Sequence, residues 1–188
     1  MLTSAAWRKV IDTFRAKGVK FLRSQNVWNE GLRLDGVAYI PPQTHARMAG
    51  TVVRPNDLLF NITGASIGRC AIVPTDFDEA NVSQHVTIVR PVLPALGPFL
   101  HLVLISGQIQ QAVMDVQVGV SREGLSIAKL ERFVVPLPPL SEQARIAARV
   151  DELMRVCDAL EDKGRLEAEQ HARLLSTLLG ALTDSATS

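Results

Sequence analysis

The hydrophobic pattern changes character at "VVPLPPLSEQ", residues 134–143. Upstream, the apolar runs are short and bounded by turn formers. "VKFLRSQNV" (19–27), "DLLFNI" (57–62), "RCAIVP" (69–74) and "VTIVRP" (86–91) predict strands. "GPFLHLVLISGQIQQAVMDV" (97–116) predicts a helix, closed by the polar, glycine-containing "QVGVSREG". Trp7, Val10, Ile11 and Phe14 fall on one helical face and predict a short N-terminal helix. Pro136, Pro138 and Pro139 then stop regular structure, because proline lacks the donor that a helix interior or a central strand requires.

Downstream the period is helical and long. Ser141 is placed to cap a helix, and Glu142 suits the positive end of its dipole. From Ser141 to Leu179 the helix would extend about 58 Å at 1.5 Å per residue. Its seam steps by four and three through Ile146, Val150, Leu153, Cys157, Leu160, Gly164, Glu167, His171, Leu174 and Leu178. That is a heptad pattern, apolar at both ends and interrupted in the middle. A rod of this length outruns a small domain, so a coiled-coil partner is expected along Ile146, Val150, Leu153, Cys157, Leu160, Leu174 and Leu178. The expected fold class is α+β: a mixed α/β unit over 1–138, a long coiled-coil-forming helix over 139–182 and a disordered tail over 183–188.

Composition narrows the function classes. The chain has 188 residues, 47% of them hydrophobic, and a formal net charge of +1. A core is affordable, and no global charge draws the chain to nucleic acid, which leaves local patches. Cys70 and Cys157 lie in segments of different character, without metal-like spacing, so a reduced, cytoplasmic chain is expected. No apolar run approaches the length of a membrane span.

The search for catalytic machinery comes back nearly empty. In "LFNITGASIGRCAIVP" (59–74), three residues separate Gly64 from Gly68, and Arg69 and Cys70 follow. A phosphate-binding P-loop needs four residues there, then Lys and Ser/Thr. A dinucleotide loop leads into a helix, whereas "RCAIVP" reads as a strand. The four histidines are scattered, and the acidic "PTDFDEAN" reads as a solvated turn. No cofactor is expected.

What remains are polar clusters at strand ends. They are Arg23, Ser24, Gln25 and Asn26; Asn61, Thr63 and Ser66 with Arg69; Gln84 and His85 in "NVSQH"; and Arg122 in "SRE". Each alone fits a capped turn. Together they also fit a reading surface. Asn and Gln pair with adenine and Arg with guanine in the major groove, while hydroxyls and amides hold phosphates.

At these residues the chain resembles the specificity subunit of type I restriction–modification systems. "FLRSQNVWNEGLRLDGVAYI", "NDLLFNITGASIGRCAIVP", "ANVSQHVTIVRP" and above all "LERFVVPLPPLSEQARIAARVDELM" carry the resemblance. It implies one target recognition domain and one conserved helix, where a full subunit has two of each. It implies double-stranded DNA as ligand, and methyltransferase and motor-nuclease subunits as partners. S-adenosylmethionine, magnesium and ATP would belong to those partners. Homodimerisation, or pairing with another specificity half, would supply the missing helix. The alternative is a truncated form that acts only as an interaction module for modification subunits.

Overall fold

The computed structural model describes residues 18–118 and 124–186. The expected N-terminal helix around Trp7–Phe14 and the expected contact at Arg122 lie outside the described residues. Contacts divide the chain into two compact units, one ending at Ala144 and the other starting at Arg145.

The first unit is built on two sheets and a hairpin. β1 (Val19–Leu22), β4 (Ala38–Ile40), β5 (Val52–Val53) and β8 (Ala80–Val82) form a mixed sheet in the order β4-β1-β8-β5. Within it β1 and β8 run parallel, and the other pairs are antiparallel. β6 (Leu58–Asn61), β7 (Cys70–Ile72) and β9 (Val86–Val89) form an antiparallel sheet in the order β7-β6-β9. β2 (Val27–Trp28) and β3 (Gly31–Leu32) make a short hairpin. Among the described residues the unit also holds the α-helices α1 (Pro42–Arg47), α2 (Gly97–Ile105), α3 (Gly107–Val118) and α4 (Ile127–Leu130), with 3₁₀ turns at Ser24–Asn26, Ala49–Thr51 and Pro94–Leu96.

β6 explains the uninterrupted apolar run "LLF". Its side chains alternate between two cores, so neither face meets water. Leu59 joins Leu22, Val27, Val53, Ala71, Val82 and Val86. Leu58 and Phe60 join Cys70 and the helical residues Leu104, Ile109 and Val113. A third, smaller cluster of Phe21, Ile40 and Met48 lies under β1 and β4. The buried Asp57 is held in place as the chain enters β6. It accepts from Arg54 N at 2.7 Å and takes a two-point ion pair from Arg90 at 2.7 Å on each oxygen. The hydrogen bonds to that carboxylate raise the Arg90 pKa above its ordinary value.

Two local expectations need correction. "VKFLRSQNV" is not one strand: β1 ends at Leu22, a 3₁₀ turn covers Ser24–Asn26, and β2 follows. The Asn26 amide accepts from Arg23 N at 3.0 Å and donates to Arg33 O at 2.8 Å, offering the backbone an alternative to the ladder. The helix over 97–116 is two helices. Ser106 turns extended (φ −64°, ψ 150°), and its carbonyl accepts from Gln110 N in the next helix. The acidic turn is solvated as expected, with Asp76, Asp78 and Glu79 exposed, Asp78 paired with Lys20 and Glu79 3.8 Å from His45.

The long helix is α5 (Leu140–Ala186), 47 residues or about 70 Å. It opens one residue before Ser141, so Ser141 lies in the first turn rather than at the cap. Glu142 N and Gln143 N both donate to Pro139 O, and the Gln143 side chain donates to Pro138 O at 2.7 Å. Helical backbone continues to Ala186, into the stretch expected as a tail, because no proline or glycine breaks "LTDSA". Along the seam Leu153 and Leu160 are exposed, as is Cys157, while Ile146 and Val150 are half-buried. The side chains of Leu174 and Leu178 lie outside the description. Arg149–Glu152, Lys163–Glu167 and the Asp162–Arg165–Glu169 set are exposed pairs three or four residues apart. Each adds only about 0.3–0.5 kcal/mol.

Candidate nucleic-acid interface

The loop joining β6 to β7 is the hub on which the polar clusters converge. Two backbone bonds close its base, Asn61 N to Arg69 O and Gly68 N to Asn61 O, both 2.9 Å. Gly64 and Gly68 turn it with φ of +78° and +87°, conformations that side chains rarely adopt. At Gly68 a Cβ would also stand 2.2 Å from the Gln110 Oε1. The Gln110 amide donates to Gly68 O and Leu104 O, both at 2.9 Å, and so ties the loop to the helices behind it.

Asn61 gathers two of the clusters from inside. Its amide donates to Ser24 O at 2.9 Å and to Ser66 Oγ at 3.1 Å, and the residue is fully buried. Thr63 Oγ1 and His85 Nδ1 share a hydrogen bond of 2.6 Å, and Ile62 N donates to His85 O. Gln84 Nε2 lies 3.4 Å from His85 Nε2. Gly124, next to the "SRE" cluster, sits so close to Thr63 that a Cβ would be 2.2 Å from its Cγ2, and Leu125 N donates to Ile62 O at 2.7 Å.

The predicted residues therefore separate into two groups. Gln25, Gln84 and His85 are exposed, and Thr63, Ser66 and Arg69 are half-buried at the loop. These six present polar groups at the surface. Asn26 and Asn61 do not: both are buried, and their amides hold the backbone. Ser24 meets Asn61 through its carbonyl. Arg23 directs its guanidinium to Gly36 O at 3.3 Å, its backbone N–H being the donor to Asn26. Asn26 and Asn61 are positioning residues here rather than reading residues.

Three residues at the hub escape a sequence reading. The Trp28 indole carries the Arg69 guanidinium at 3.7 Å and that of Arg33 at 3.6 Å from ring centre. Trp28 Nε1 donates to Gln25 O at 2.9 Å, which orients the ring. The Asn29 side chain accepts from Cys70 N at 3.1 Å, linking the β2–β3 hairpin to the start of β7. The signal was present as an aromatic and an arginine flanking the Asn29–Glu30 turn, but only the fold adds Arg69. Burial pushes the Cys70 thiol pKa well up, so it is a packing group rather than a nucleophile. Gln84 also borders a cavity of about 680 Å³, lined among others by Arg47, Thr51, Ser83, Thr87 and Ile127. Among the described residues no cluster of His, Cys, Asp or Glu has the arrangement to hold a metal ion, and no helix is long and apolar enough to cross a membrane.

The family of type I restriction modification DNA specificity domains matches residues 49–170, from the end of α1 to well along α5. The chain belongs to this family. It is 30% identical over 145 residues to the type I restriction enzyme EcoBI specificity subunit of Escherichia coli, across 77% of this chain and 30% of that protein. The EcoAI specificity subunit of Escherichia coli is 49% identical over 55 residues. The chain thus spans about a third of the length of that EcoBI subunit. In fold it is similar to the HsdS subunit from Thermoanaerobacter tengcongensis, with a TM-score of 0.65, 21% identity, and coverage of 90% of this chain and 43% of that one. A chain from a study of complex assembly and conformational transition of the type I R-M system gives a TM-score of 0.61 at 22% identity, covering 87% of this chain and 37% of that one. The expected family and the expected α+β class with one long helix therefore both hold.

Proposed function

We propose that this specificity domain recognises a sequence in double-stranded DNA, performs no chemistry itself, and directs methyltransferase and motor-nuclease subunits to that site. The observation that carries the reading is the convergence of chain-distant polar segments on the β6–β7 loop. Residues 23–28, 61–69 and 83–85 meet there through Asn61, Thr63 and Trp28. Gln25 and Gln84 can offer bidentate groups to base edges, and the Thr63 and Ser66 hydroxyls and the Arg69 guanidinium can contact phosphate. S-adenosylmethionine, magnesium and ATP would belong to the partners, and the assembly would work in the cytoplasm. The domain division of the reading is recognition over 1–138, a dimerisation and spacer helix over 139–182 and a tail over 183–188.

The exposed apolar seam of α5 supports pairing with a second helix, either of a second copy or of another specificity half. An antiparallel pair would bring Ile146, Val150 and Leu153 toward Leu178 and Leu174, with Gly164 near the two-fold axis, and would present two recognition units to a gapped, inverted target.

The test for recognition is fluorescence anisotropy of the full chain on a duplex selected from a randomised pool and on its scrambled counterpart. Binding that weakens steeply with salt on both, and is at least tenfold tighter on the selected duplex, is expected. Equal affinity for the two duplexes would leave only the interaction-module reading. For assembly, chains carrying Val150→Cys and Leu174→Cys, in a Cys157→Ser background, should crosslink with each other more than with themselves. A monomer at micromolar concentration would refute self-pairing and leave only pairing with another specificity half.

A further inference from the structure

We propose that Arg33 and Arg69, held together on Trp28, form a clamp for the phosphate backbone of duplex DNA, with Arg33 as a contact that the sequence clusters did not include. The inference rests on the reading of the β6–β7 loop as a DNA-facing hub. It starts from an arrangement that folding alone does not require. Arg33 comes from β3's end and Arg69 from the base of a different hairpin, yet both guanidinium groups pack on one indole. Two like charges on one ring repel each other. Among the described residues Arg69 has no carboxylate within ion-pair distance, and Arg33 has only Glu30 at 3.8 Å. A bound anion would relieve the repulsion.

The geometry also selects the kind of anion. A guanidinium stacked on an aromatic face keeps its N–H donors in its own plane, free to fork onto phosphate oxygens. The Arg33 side chain is 56% exposed, so that edge is available. The ring cannot swing away, because Trp28 Nε1 is bonded to Gln25 O and the hairpin is tied to β7 through Asn29. Splayed single-stranded bases would need the indole surface itself. The two guanidinium groups occupy that surface, which favours a duplex backbone over a single strand.

Glu30 sharpens the test, because it sits where it opposes a phosphate at Arg33. Full-length wild type, Arg33→Gln, Arg33→Lys and Glu30→Gln would be titrated by anisotropy against the selected duplex, the scrambled duplex and a single strand of the same length, between 50 and 200 mM salt (both roughly the range over which phosphate contacts dominate). Arg33→Gln should bind both duplexes about tenfold more weakly, the low end for a hydrogen bond to a charged partner. It should also lower the slope of log K against log salt by about 0.9, one phosphate's worth. Arg33→Lys should keep the slope and lose part of the affinity. Glu30→Gln should strengthen binding to both duplexes, a gain that misfolding cannot produce. An unchanged slope and affinity in Arg33→Gln, with wild type binding normally, would overturn the clamp and leave the DNA-recognition reading standing. A loss confined to the selected duplex would make Arg33 a base reader and also overturn it. Tighter binding of wild type to the single strand than to either duplex would do the same. Failure of wild type to bind any of the three would overturn both readings together.

Discussion

Replacing Asn61 by Ala separates a reading residue from a positioning residue. The side chain is fully buried, and its amide donates to Ser24 O and Ser66 Oγ. Losing the two bonds costs about 1 kcal/mol each. The small void left at a closed site adds roughly 1 kcal/mol. Against this, the Asn61 Oδ1 is buried without a hydrogen-bond partner among the described residues, and removing it returns about 1 kcal/mol. The net expectation is a destabilisation of about 2 kcal/mol, or a Tm lower by about 4–8 °C for a protein of this size. Urea unfolding followed by tryptophan emission reads it directly, and the midpoint should fall by about 1 M. Gln25→Ala, at an exposed position beside the same turn, is the control and should stay within about 0.5 kcal/mol of wild type. Below the transition, Asn61→Ala should keep the wild-type ratio of affinities for selected and scrambled duplexes, while Gln25→Ala should lower it. A wild-type urea midpoint in Asn61→Ala, accompanied by loss of binding to the selected duplex alone, would show that Asn61 reads a base and that its buried placement is wrong.

Four further outcomes follow from packing and burial. Arg90→Met strips the guanidinium from a carboxylate that is only 1% exposed and should cost about 3 kcal/mol in urea unfolding, with Asp57→Asn in the same chain restoring part of it. Gly68→Ala forces a φ of +87° on an L residue and drives a Cβ into the Gln110 amide, so a loss of about 1–3 kcal/mol and a disturbed loop are expected; a wild-type melting curve would contradict the fixed contact. A thiol reagent at neutral pH should modify the exposed Cys157 and leave the buried Cys70 untouched until unfolding. Because burial raises the Cys70 pKa in the folded state, the unfolded chain gives up that proton first. Stability is therefore lost as pH rises past the ordinary thiol value of 9.0, and Cys70→Ala should flatten that alkaline decline relative to wild type.

The sequence alone was enough for the elements whose period or turn residues are unambiguous. The apolar runs at 58–61, 70–72 and 86–89 became β6, β7 and β9 because a short β-rich run between turn formers has few other uses. The proline cluster and the four-and-three seam specified one long helix, since no tertiary contact is needed to define its period. Gly64 and Gly68 marked a tight turn for the same local reason. Tertiary structure decided which polar residues face outward. Asn26 and Asn61 have the same chemistry as the exposed Gln25 and Gln84, and nothing in their local pattern distinguishes a side chain that reads from one that holds. The fold decides it, because a buried amide must find backbone partners, and those partners come from segments 37 and 7 residues away, at Ser24 and Arg33. The stack of Arg33 and Arg69 on Trp28 was equally out of reach. It depends on two hairpins meeting, and the period of neither hairpin carries information about the other.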